Sequence, residues 1–307
     1  PIGLDYQANR GTVQNTGLVQ ARRGGVQILG YNVDQEGVVL ASTSISHPGS
    51  IQLRAQDEGN STTATTSSFN RSGNLTLGAG SVTTILPEKD GTTTSSSPSA
   101  DKVFVNGTIT LAGGTVTFSH GSQVEAPAAT LDVTAVRDNV APALLSPTAG
   151  RVYVDDGATV DVSGLANVVL PMSALLVDIP RIGQNELANS PLLRNSFLYT
   201  QKDILIDSSQ SGTRADGLDW VGSPILNVSG YVDNVPRDIS QMLTRGGNIS
   251  LNGNEVIVRS GAQLKLDGGY LAYQAGWIDT PNLLGADGRI YNIATAEWGA
   301  RWPVEDL

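Results

Sequence analysis

Short runs in which every second residue is apolar recur along the chain, separated by glycine and small polar residues. A period of two sends successive side chains to opposite faces of a strand, so each run predicts a strand with one buried face. One pattern repeats in detail: apolar-x-apolar-x-x-Gly-small-x-apolar. It reads Val116-Thr-Phe118-Ser-His-Gly121-Ser122-Gln-Val124, then Val152-Tyr-Val154-Asp-Asp-Gly157-Ala158-Thr-Val160, then Val256-Ile-Val258-Arg-Ser-Gly261-Ala262-Gln-Leu264. A looser copy runs from Leu75 through Gly80 and Ser81 to Val82. Glycine permits the positive-φ turn that bends one strand into the next, and the small residue after it leaves room at the corner. Near the start, Gly17 and Gly37 are 20 positions apart, as are Ala21 and Ala41, with the strand-like Gly25–Leu29 between them. Short alternating segments repeating at about this spacing are the signature of a stacked β-coil. The expected fold is all-β: a right-handed parallel β-helix, or β-solenoid, with loop excursions and an irregular insertion.

Coil signals fall at 11–55, 73–86, 103–135, 150–170 and 246–268. The Ser/Thr-rich stretches 56–72 and 87–102 read as excursions or mobile loops, and 136–149, with two prolines, as a further departure from the ladder. Over 171–240 the coil period is lost, and a short helix is expected from Gln184 to Leu193, broken by Pro191. The chain therefore divides into coils over 1–170, an insertion packed on the solenoid over 171–240, and further coils with an aromatic-rich segment over 241–307. All four tryptophans, five of eight tyrosines and one of four phenylalanines lie beyond residue 190.

Composition agrees with stacked strands. Gly and Pro number 35 and 14, about a sixth of the chain, which disfavours long helices. Only 16% of residues are charged, so polarity comes mainly from Ser, Thr, Asn and Gln, which can stack without like-charge repulsion. A net charge of −10 argues against nucleic acid as a partner. With no cysteine there is neither a disulfide framework nor a thiolate metal site. The opening PIGLDYQANRG has no basic region followed by an apolar segment, so an internal or processed piece of a longer exported chain is expected.

Several segments resemble a known family. The N-x-G-x-V-x-A coil at 15–21, the Gly-small corners and GGNISLNG at 246–253 are similar to repeats of filamentous haemagglutinin-like exoproteins of two-partner secretion. More specifically, SPLLRNSFLY (190–199), TRADGLDWVGSPILNVSGYV (213–232) and YQAGWIDTPNLLGADGRIYNI (273–293) resemble a conserved region of unknown function in very long members of that family. The resemblance implies a segment of a large bacterial adhesin or surface exoprotein, carried across the outer membrane of a Gram-negative cell by a dedicated β-barrel partner and displayed or shed outside. The Asn-Pro-Asn motifs of the family's secretion domain are missing here, which agrees with a fragment. The resemblance carries no catalytic residues and no cofactor.

The residues themselves offer little chemistry. His47 and His120 are the two histidines, and neither G-x-S-x-G, H-E-x-x-H nor a Walker motif is present. Because parallel β-helices include polysaccharide-cleaving enzymes, the carboxylates Asp132, Asp155, Asp156 and Asp161 are candidate acids, although Asp155 and Asp156 fall at a glycine corner that turn geometry alone explains. Loop acids Asp216, Asp219 and Asp287 could supply hard ligands to calcium, but their spacing matches no EF-hand. Trp220, Tyr231, Trp277, Trp298 and Trp302 could stack on sugar rings or seal the insertion, and Arg214, Asp216 and Asp219 read as a structural polar cluster. A structural or adhesive rod is the expected function, without catalysis. A glycan-binding module using the aromatic third and a polysaccharide-cleaving enzyme are the rival readings. Open coil ends would also allow copies to stack end to end.

Overall fold

The computed structural model describes residues 11–58, 70–100, 103–136 and 148–298. It is mostly β, with three stacked parallel sheets that form a parallel β-helix and no closed barrel. The chain separates into two compact units. The first comprises residues 1–93, 104–168 and 238–271; the second comprises 94–103, 169–237 and 272–307.

In the first unit each of the first five coils contributes one strand to each of three sheets, and a sixth coil contributes to the first two. The first sheet stacks Thr12–Asn15, Asn32–Gln35, Asn74–Leu77, Thr115–Phe118, Arg151–Val154 and Glu255–Val258. The second stacks Leu18–Ala21, Val38–Thr43, Val82–Pro87, Gln123–Glu125, Thr159–Asp161 and Gln263–Lys265. Gly25–Gly30, Ser50–Glu58, Thr108–Gly113, Thr130–Ala135 and Asn248–Asn252 form the parallel path of the third. Alternation does what the sequence pattern predicts. Val33, Leu75, Val116 and Val152 are register partners in one inward column, and Gln35, Leu77, Phe118 and Val154 in the next, all essentially unexposed.

The repeated Gly-small motif is the corner between the first and second sheets. Gly80, Gly121, Gly157 and Gly261 all have positive φ, from 72° to 94°. In each copy the residue after the glycine donates its amide to the carbonyl three positions back: Ser81 to Gly78, Ser122 to Ser119, Ala158 to Asp155 and Ala262 to Arg259. This corner holds two residues in the first two coils and four in each of the others. The corner between the second and third sheets is not fixed: it holds 3, 6, 20, 4 and 86 residues in successive coils, the last being 162–247. Ala21 and Ala41, 20 positions apart, are register partners, and Gly37 sits directly against Gly17.

The Ser/Thr-rich stretch 87–100 is an excursion held by its carboxylates. Glu88 receives Ser42 Oγ at 2.6 Å, Arg22 Nη2 at 2.8 Å and Arg23 Nε at 3.0 Å, which joins three successive coils. Asp90 accepts from the hydroxyls of Ser46 and Thr92. Of the other departures, 59–69 and 137–147 lie outside the described residues.

The second unit has its own core, in which Ile179, Ile182, Leu187, Ile206, Ile225 and Ile293 are fully buried. It contains antiparallel pairs, Leu176–Ile179 with Ile204–Asp207 and Ser211–Thr213 with Asp219–Val221. The helix expected from Gln184 to Leu193 is not formed. Residues 184–189 and 191–195 make successive hydrogen-bonded turns, and the nearby helix is Phe197–Thr200. Pro191 accounts for this: it has no N–H to donate and disfavours helical backbone at Ser190, so the chain closes three-residue turns instead.

Candidate functional site

The candidate acids do not share a face. Asp132 lies on the third sheet, with Thr110 and Ser250 as register partners, whereas Asp155 and Asp156 occupy the first corner and Asp161 the second sheet. Three have partners in a neighbouring coil: Asp155 with Arg259, Asp161 with Lys265 and Asp156 with His120, each at 3.9 Å. Arg151 and Glu255 form a closer pair of the same kind at 2.6 Å. The Asp156 amide, with further help from the Tyr153 hydroxyl, holds Asp155 below the usual carboxylate range. His120 Nδ1 is also 2.7 Å from the Asp156 carbonyl, and its ring packs over Gly157. His47 Nδ1 pairs with Ser46 Oγ at 2.8 Å. The pairs of Asp155, Asp156, Asp161 and Arg151 stitch coil to coil, whereas the His47 contact stays within its own turn.

The loop acids are likewise engaged locally. Asp216 binds Arg214, Asp219 accepts from Thr213 Oγ1 at 2.7 Å, and Asp287 accepts from Tyr291 at 2.6 Å, which lowers its pKa. Among the described residues, no three acidic or histidine side chains gather as a metal would need. No helix there is long and apolar enough to cross a membrane.

The aromatics take separate positions. Trp220 lies over Gly212, whose missing Cβ leaves room for the indole. Trp298 stacks on the nearly buried Arg214 guanidinium, 4.0 Å from ring centroid to carbon, and its indole N–H donates to the Asn189 carbonyl. The expected Arg214 cluster is therefore built from Asp216 and Trp298, while Asp219 pairs within its own hairpin. Trp277 is fully exposed, and Trp302 lies outside the described residues.

Tyr231 lines a cleft in the second unit. Asn185, Glu186, Asn227, Ser229, Gly230 and Asn234 complete its wall, and its volume is about 350 Å³. The Asn227 amide donates to the Glu186 carbonyl at 2.7 Å and so ties the two lining segments together. Glu186 Oε2 accepts from the Gly183 amide at 3.0 Å, and the Tyr231 hydroxyl donates to the Arg181 carbonyl at 2.9 Å. Burial, and then the neighbouring Glu186 carboxylate, push the Tyr231 phenol above its ordinary pKa.

No family model, curated protein or solved structure matches this chain. Sequence reasoning singled out Tyr231 but not the asparagines beside it. Asn and Ser are common in turns for conformational reasons, so Asn185, Asn227 and Asn234 carry no separate signal until the fold brings 185–186 to 227–234.

Proposed function

We propose that this chain is a structural and adhesive segment of a large secreted bacterial surface exoprotein, acting as a rod or fibre element in attachment. The ladder supports this reading most directly. Its inward columns run from coil to coil in register, and at both terminal coils they stay open among the described residues. Val13 and Val19 are 36% and 37% exposed at one end, and Val256 and Val258 are 42% and 45% exposed at the other. A solenoid coil buries its inner side chains only against another coil, so open ends of this kind can accept a further coil or a second copy. The motifs similar to filamentous haemagglutinin-like exoproteins add export through an outer-membrane β-barrel partner and a place at the surface of a Gram-negative cell.

Electron microscopy and sedimentation velocity over a range of concentrations test the fibre element; rods that lengthen with concentration are expected. Dispersed particles of one size at every concentration would remove end-to-end stacking. Antibody labelling of intact source cells tests the location, and signal confined to permeabilised cells would overturn it.

A further inference from the structure

The cleft in the second unit has a chemistry that a rod does not need. Its volume of about 350 Å³ is at the lower end of small-ligand sites, which span roughly 300–1,000 Å³. Much of its hydrogen-bonding capacity remains open. Asn227 Oδ1 accepts from Ser229 Oγ at 2.9 Å, leaving its two amide donors; Asn234 donates to the Gly230 carbonyl at 2.8 Å, leaving its own oxygen. The Asn185 carboxamide is exposed to the cleft without a partner among the described residues. The one formal charge in the wall is the Glu186 carboxylate.

Each open group narrows the ligand. A carboxamide offers a donor and an acceptor on one plane, which suits adjacent hydroxyls that both give and take hydrogen bonds. A carboxylate accepts from hydroxyls strongly, and a tyrosine ring offers an apolar face to a sugar's C–H surface. An anionic ligand would meet Glu186 with no lining cation to offset it. A simple amine would engage Glu186 but leave the carboxamides unpaired, which costs affinity.

We propose that the cleft lined by Asn185, Glu186, Asn227, Ser229, Tyr231 and Asn234 binds a neutral saccharide. This stands apart from the rod reading, since a rod could lack the site and the site could serve a protein that is no rod. The test is calorimetric titration of the whole chain with methyl glycosides of neutral hexoses and N-acetylhexosamines and with their disaccharides. Saturable binding of at least one is expected, weakened about tenfold by Asn227→Ala, the worth of one hydrogen bond. Gly230→Phe should abolish it. A Cβ added at Gly230 meets no atom within 4 Å, so the ring can fill the cleft without moving the backbone. Trp220→Ala and Trp298→Ala should bind as the unmodified chain does. If Gly230→Phe fails to fold by circular dichroism, Asn227→Ala decides. Absence of binding to every neutral sugar, binding unchanged by Asn227→Ala, or loss with the tryptophan variants alone would overturn the proposal.

Discussion

Gly17 and Gly37 occupy equivalent positions in successive coils, yet their surroundings differ. A Cβ on Gly37 would fall 2.2 Å from the Gly17 carbonyl oxygen, whereas one on Gly17 would meet nothing within 4 Å. Gly37→Ala should therefore cost about 1–3 kcal/mol in denaturant unfolding, and Gly17→Ala should stay within about 0.5 kcal/mol. Equal losses would mean that glycine's backbone freedom, not the neighbouring coil, sets the cost. Protonation of the Glu88 and Asp90 anchors is a second contribution at this scale. Hydrogen bonds from Ser42 and Arg22 lower Glu88, and those from Ser46 and Thr92 lower Asp90. A depressed folded-state pKa gives stability that is complete above about pH 5 and is lost as pH falls through the folded values. Glu88→Gln with Asp90→Asn should flatten the acid side of the stability profile, measured as denaturation midpoint against pH, and an unchanged acid slope would assign it to other carboxylates.

At the scale of the strand and its column, buried polar side chains interrupt the apolar rule. Thr83 is the register partner of Val39 and Val124, is fully buried, and its hydroxyl has no hydrogen-bond partner. Thr83→Val removes a desolvated hydroxyl at nearly constant volume and should raise stability by about 1 kcal/mol in the same denaturation assay. A loss would mean that the hydroxyl is satisfied in solution. Gln35, also fully buried in a column, differs because Asn15 donates to its side-chain oxygen at 2.6 Å and its own amide donates to the Gly37 carbonyl at 2.9 Å. The strands were legible in the sequence because period two and glycine corners are local signals. The third strand of the fifth coil, Asn248–Asn252, is harder to assign: 86 residues part it from the strand before it. From Gln184 to Leu193 the expected short helix, broken by Pro191, is not formed, and the segment closes turns instead. The cleft was illegible for a similar reason, since its two halves meet only through tertiary structure.

In the whole molecule, each of the two units has a main core of its own among the described residues, and thermal unfolding should report both. Phe118 is fully buried in the ladder and Ile206 in the second unit. Truncating either to Ala should cost about 2–5 kcal/mol. Calorimetry is expected to show two transitions, with Phe118→Ala lowering one and Ile206→Ala the other. A single transition lowered by both variants would show that the units unfold as one.

The contrast between the corners of the ladder also bears on how such a gene can change. A codon gained within a four-residue first corner shifts every later side chain of its strand to the wrong face, so selection should hold that length constant. The second corner has accepted from 3 to 86 residues with the register on either side intact. The two longest excursions, 88–107 and 162–247, leave the ladder there. New binding equipment can thus be acquired, exchanged or lost at one edge of the coil by insertion and deletion, while the scaffold that carries it is inherited unchanged.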